Sequence, residues 1–212
     1  MILISPMKNS AKQKLIIKAA TKIFARKGFH QAKMDEIALA AKVAKGTLYY
    51  NYASKSKLFA ATVTAGMEEI MDKISRELES DLPFVEHFRL LVANTFRLYL
   101  KNSEVIRIYV NELSSGIDAE ALAEIKKVRR RFIRFITDTL QTGQEKGYLK
   151  PLHRQICATV LVGMVDAFCN NQLGPEENYD LEEIIETVIP ILSTGLLNPE
   201  KVKPVEAKAK KR

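Results

Sequence analysis

Val43-Ala44-Lys45-Gly46-Thr47-Leu48-Tyr49-Tyr50-Asn51-Tyr52, with Ser54-Lys55-Ser56-Lys57-Leu58-Phe59 directly after it, settles the architecture of this chain. Wound as a helix at about 100° per residue, the stretch places Leu48 and Tyr52 on one side and Gly46, Thr47 and Tyr50 on the other, with Tyr49 and Asn51 flanking. One face anchors and the other faces outward. The outward face holds no aliphatic side chain. It offers hydroxyls, an amide and the bare backbone of Gly46, with Lys45 at its entry and Lys55 and Lys57 just beyond. Those are the groups that contact phosphates and base edges. Adjacent residues lie about 100° apart, so Tyr49 and Tyr50 cannot both point inward with Leu48 and Tyr52. At least one is expected to be exposed.

Working outward from that stretch, a shorter helix is expected from Met34 to about Ala41, with Asp35 and Glu36 in its first turn where they suit the helix dipole. Only Lys42, Val43 and Ala44 separate the two, which makes a helix-turn-helix. A supporting helix precedes them. Ser10 with Gln13 is a capping-box start, Arg26-Lys27-Gly28 is a stop, and Leu15, Ala19, Ile23 and Ile16, Ala20, Phe24 form two apolar ridges. Downstream, Ser54 caps a long helix to about Ser80, followed by helices over 84–101, 103–115, 118–146, 153–172 and 180–197, the last with Pro190 inside it as an expected kink. No stretch alternates at period two, so the fold is expected to be all-α. The organisation read from this is a flexible arm over 1–9, a helix-turn-helix domain over 10–57, a helical effector-binding and dimerisation domain over 58–199, and a basic tail over 200–212.

Charge divides along the same lines. Residues 1–57 hold 12 Lys/Arg against Asp35 and Glu36, 58–199 hold 15 against 21 acids, and the tail holds 6 against 2, so a basic head and tail flank an acidic body. Such asymmetry suits a polyanion partner for the head, although a solvated basic surface would give the same count. No apolar run approaches the roughly 20 residues of a membrane span, and Met1 to Pro6 is too short for a signal peptide, so a cytoplasmic location is expected. Cys157 and Cys169 stand twelve residues apart on one expected helix, about 18 Å at 1.5 Å rise, and cannot pair with each other. His30, His87 and His153 show no ligand spacing with them, so no metal and no cofactor is expected. The absence of a Gly-rich phosphate loop or a nucleophile-elbow motif argues against an enzyme.

Gly28-Phe29, Ile37-Ala38, the run Ala41 to Tyr52 and the run Ser54 to Phe59 together resemble the DNA-binding domain of tetracycline-repressor-type (TetR) regulators. The likeness covers about residues 10–60; beyond them it is one of outline, helical with two apolar C-terminal helices. The resemblance implies a homodimeric transcriptional regulator, usually a repressor, that binds a palindromic operator in double-stranded DNA and is released by a small molecule held in the larger domain. It further implies DNA contacts from Lys45, Gly46, Thr47, Tyr49, Tyr50 and Asn51, with phosphates held by Lys33 and Lys55. Three positions depart from the family pattern. Lys33 stands where Ser or Thr is common, Lys42 where Gly is common, and Ala44 where a capping Ser is usual.

Two heads spaced about one turn of DNA, roughly 34 to 36 Å, require a dimer. Its interface is expected on the last two helices as a four-helix bundle, through Val160, Leu161, Met164, Ile184, Ile185, Val188 and Leu192; packing within their own domain is the other reading. Phe88, Leu91, Phe96, Tyr99, Tyr109, Phe132, Met164 and Phe168 are candidate pocket residues for an apolar or amphipathic effector, although taken singly each reads more readily as ordinary core. Arg129, Arg130, Arg131 and Arg134 could meet an anionic head group or form a solvated face. The other functional class open at this point is a helical protein that binds nucleic acid without sequence preference.

Overall fold

The computed structural model describes residues 11–78, 83–101, 116–169 and 180–201. Among these, eight helices carry the fold: α1 (Ala11–Gln31), α2 (Met34–Ala40), α3 (Lys45–Asn51), α4 (Lys55–Leu78), α5 (Phe84–Lys101), α6 (Ala119–Glu145), α7 (Arg154–Cys169) and α8 (Leu181–Leu196). The fold is all-α as expected, and among the described residues extended backbone pairs in one antiparallel bridge, Leu149 with Leu197. The expected arm, the helix over 103–115 and the tail beyond Lys201 lie outside the described residues.

The head is built on α1. Its expected stop at Gly28 is a break inside the helix, with φ 73° and ψ 173°, a left-handed conformation that favours glycine. The break returns Phe29 to the core. There Phe24 and Phe29 each meet Phe59 of α4 edge-on at 5.2 Å. Burying side chains of this size contributes about 1.5–3 kcal/mol each, so this trio fixes α4 to α1. Ile16, Ala20 and Phe24 form one buried ridge, whereas Leu15 of the other ridge is exposed and only Ala19 and Ile23 are buried.

The turn from α2 to α3 closes through Ala41 N–H to Ile37 O at 2.9 Å and Val43 N–H to Ala38 O at 3.0 Å. Lys42 takes φ 55° to make that turn. Neither α2 nor α3 has a side-chain cap, since Lys33 and Ala44 at their N-cap positions make none. α3 is anchored through fully buried Leu48.

The long helix α4 is capped by Ser54, whose Oγ accepts from Lys57 N–H at 3.1 Å. It packs on α1, α5 and α6. α6 is capped by Asp118, whose side chain accepts from Ala121 N–H at 2.8 Å. α7 and α8 close the body. Lys150 N–H to Leu196 O and Asn198 N–H to Tyr148 O, both 2.9 Å, pin the end of α8 to the turn after α6. Pro190 sits on the exposed face of α8 without interrupting it.

The expected interface residues divide by burial within the chain. Ile184, Ile185, Val188 and Leu192 are buried, where α8 lies along α5. Leu161 and Met164 are half-buried and line a cavity in the body. Of the expected set, Val160 alone is exposed. The reason is that an apolar period marks a buried face without saying whose atoms bury it.

Candidate DNA-binding surface and effector cavity

α3 presents its polar face to solvent. Tyr50 is 91% exposed and Tyr49 42%, so both tyrosines point outward. Gly46 is exposed, and a Cβ added there would meet nothing within 4 Å, which leaves its backbone open to close approach. Thr47 and Asn51 are half-buried one turn apart, with Asn51 Nδ2 donating to Thr47 O at 2.7 Å.

The lysines divide by what holds them. Lys33 is exposed at the start of α2. Lys45 Nζ is bound to the Asp35 carboxylate at 2.8 Å, and that hydrogen bond raises the lysine pKa above its usual value. Asp35 was not singled out as a site residue. The sequence signal for it was its standing as one of two acids in a strongly basic head. Lys55 Nζ turns inward, donating to His30 O at 3.0 Å and Ala32 O at 3.2 Å above the Phe29 ring. Two of its three donors therefore close the end of α1. Lys27 meets Glu36 at 2.6 Å and ties α1 to α2, and this hydrogen bond lowers the Glu36 pKa.

Lys57 is held against the body. Its ammonium pairs with Glu120 and, at 3.2 Å, with Glu124 on α6. These carboxylates raise its pKa, Glu120 first. Next to it, Ser56 Oγ accepts from Asp118 N–H at 3.4 Å. The first turn of α4 therefore joins the head to the start of α6.

A cavity of about 910 Å³ lies in the body between α4, α5, α6 and α7, with Leu192 of α8 closing one side. That volume is within the usual range for small-molecule sites, roughly 300–1,000 Å³. Phe88, Leu91, Phe96, Phe132 and Met164 line it as expected of pocket residues. Phe168 lies behind the wall, edge-on to Phe96 at 6.0 Å, while the Tyr99 side chain and Tyr109 fall outside the described residues. Met71, Ile74 and Leu78 of α4 also line the cavity and went unnamed, because their period reads as a plain helix spine. In the arginine run, Arg131 and Arg134 reach the cavity, Arg129 pairs with Asp166 of α7, and Arg130 is exposed. Arg131 Nη1 donates to Glu68 Oε1 at 3.1 Å.

The outer faces of α7 and α8 carry exposed apolar side chains: Ile156 at 61%, Val160 at 55% and Ile191 at 59%. Gly163 and Gly195 on the same helices have open space where a Cβ would stand. No helix among the described residues is long and apolar enough to cross a membrane.

A family model described as bacterial regulatory proteins, tetR family, matches residues 16–62, and one described as tetracyclin repressor-like, C-terminal domain, matches 81–170. The HTH-type transcriptional regulator YhgD of Bacillus subtilis (strain 168) is 29% identical over 161 residues, spanning 71% of this chain and 78% of that protein. The solved structure of the fatty acid degradation regulator FadR from Bacillus halodurans superposes with a TM-score of 0.73 at 26% identity, covering 88% of this chain and 96% of that one. The structure of the transcriptional regulator FadR from Bacillus subtilis in complex with stearoyl-CoA superposes with a TM-score of 0.72 at 21% identity, covering 86% and 98%. At that identity it shows a shared fold.

Proposed function

The chain belongs to the TetR family of transcriptional regulators, which are DNA-binding proteins and not enzymes, and from that premise we propose that it is a repressor released by an acyl thioester of coenzyme A. It would bind a palindromic operator as a homodimer and leave it when the acyl chain enters the body. The observation that carries this reading is the apolar cavity of about 910 Å³ whose wall includes Met71, Ile74 and Leu78 of α4. The first turn of that same helix is tied to the head by Lys55 and Phe59. The complex of a structural neighbour with stearoyl-CoA supports the choice of effector.

DNA contact falls to Lys33, Gly46, Thr47, Tyr49, Tyr50 and Asn51, with Lys45 available once it parts from Asp35. Lys55 keeps one donor for a phosphate while its other bonds hold α1. The outward faces of α7 and α8 form the dimer interface through Ile156, Val160 and Ile191. A ligand that pushes on the far end of α4 tilts the helix and changes the distance between the two α3 helices of the dimer. Swinging a DNA-competent population from 99:1 to 1:99 needs about 5.5 kcal/mol of differential binding.

Selection from a random duplex pool tests the proposal. The expected product is an inverted repeat with half-site centres about 34–36 Å apart, bound less tightly when dodecanoyl-coenzyme A is added. A steep salt dependence with no preferred sequence would instead support binding without sequence readout.

A further inference from the structure

The cavity wall is mostly apolar, and several of its polar groups are already engaged. Thr95 Oγ1 donates to Leu91 O at 2.7 Å, Thr139 Oγ1 to Phe135 O at 3.0 Å and Thr142 Oγ1 to Asp138 O at 3.4 Å, each one turn back on its own helix. Arg131 is held by Glu68. Arg134, Asp138 and Lys146 are exposed, and Ser75 is half-buried.

His87 differs from all of these. It lines the cavity from the first turn of α5, and its Nε2 is shut off from solvent with no hydrogen-bond partner among the described residues. Its neighbours one turn to either side on that helix, Phe84 and Leu91, are cavity-lining apolar side chains. A buried ring nitrogen without a partner is penalised relative to one in water, and such atoms are rare in folded proteins. A ligand that supplies the missing partner removes that penalty.

We infer that His87 Nε2 is the polar recognition point of the cavity and binds the carbonyl oxygen of an acyl ligand whose chain lies along Phe88, Leu91 and Phe132. In the tautomer with its proton on Nε2, the neutral imidazole donates and the carbonyl accepts. The ligand class is therefore an acyl group whose carbonyl enters the cavity together with the chain. This inference rests on the acyl-thioester reading above and adds the residue that tells an acyl group from an alkyl one.

The test is a matched pair of probes, dodecanoyl-coenzyme A and the thioether S-dodecyl-coenzyme A, which lacks only the carbonyl oxygen. Calorimetric titration of the full-length protein is expected to show the thioester binding about tenfold tighter, the usual worth of one hydrogen bond to a buried group. In His87→Phe the two probes should bind equally, with the thioether affinity unchanged. In His87→Gln, whose amide can donate, part of the preference should return. Equal binding of the two probes to the wild-type protein would overturn the role of His87 and leave the acyl effector standing. So would a preference that survives intact in His87→Phe. Binding of neither probe would overturn both. If His87→Phe does not fold, the wild-type ratio and the His87→Gln ratio decide the matter.

Discussion

Lys42 holds the turn into α3 at φ 55°, where an L side chain costs about 1–2 kcal/mol. Glycine would relieve that strain but lose about 0.5–1 kcal/mol to the greater freedom of its unfolded chain. Relief is the larger of the two, so Lys42→Gly should stabilise the protein by about 0.5 kcal/mol, read as a higher urea midpoint at unchanged slope. A lower midpoint would show that the lysine side chain supports the turn in some other way. Asp35 poses the opposite case. Its pair with Lys45 is more than 60% exposed on both sides, and solvent screening leaves such a pair little weight in stability. Asp35→Asn should therefore cost little stability while freeing a cation and removing an anion beside the DNA. Operator affinity is expected to rise, and the slope of log K against log salt to steepen by about one. An unchanged slope in fluorescence anisotropy would mean that Lys45 never reaches a phosphate.

The head and the helix starts of the body were legible because caps and turns act locally: Ser54, Asp118 and Gly28 mark boundaries through bonds to residues three or four positions away. The cavity was only half legible. Phe88 and Phe132 could be picked out as large apolar residues, but whether they enclose space or fill it depends on how far α4 stands from α5 and α6, which no local pattern encodes. His87 was missed for the same reason, since a histidine gains meaning only when the surrounding wall leaves its nitrogen alone. The Asp118 cap gives a prediction at this scale. Its bond from Ala121 N–H, followed by the Ser56 hydroxyl and the charge of Lys57, holds its folded pKa below the ordinary value of 3.8. A depressed carboxylate adds stability that is fully present above the unfolded pKa and is lost as pH falls through the folded one. Asp118→Asn keeps the cap without the titration, because Asn is an equally good N-cap. Near neutral pH the variant should unfold close to the wild type. Below about pH 4 the wild type should lose stability faster, and parallel melting curves down to pH 2 would remove Asp118 from the acid response.

In the whole molecule, the two C-terminal helices carry apolar residues on several sides, and the sequence could not divide these between the chain and a partner. The structure makes the division: Ile184, Ile185, Val188 and Leu192 belong to the core, while Ile156, Val160 and Ile191 face outward beside Gly163 and Gly195. Small and β-branched residues on an exposed helix pair suit close packing against a symmetry-related pair. Two substitutions separate the alternatives. Val160→Arg places a charge where a second copy would pack but where this chain alone leaves open water, so it should fold with nearly unchanged stability yet sediment as a monomer at micromolar concentration. Operator affinity should drop with it, because one head reads half a site. Val188→Ala removes buried volume instead, and a core truncation of this kind costs on the order of 2 kcal/mol. That variant should melt earlier but remain dimeric. The opposite pattern, with Val188→Ala dissociating and Val160→Arg staying dimeric, would return the interface to the buried face of α8 and require α8 to detach from α5 when two chains meet.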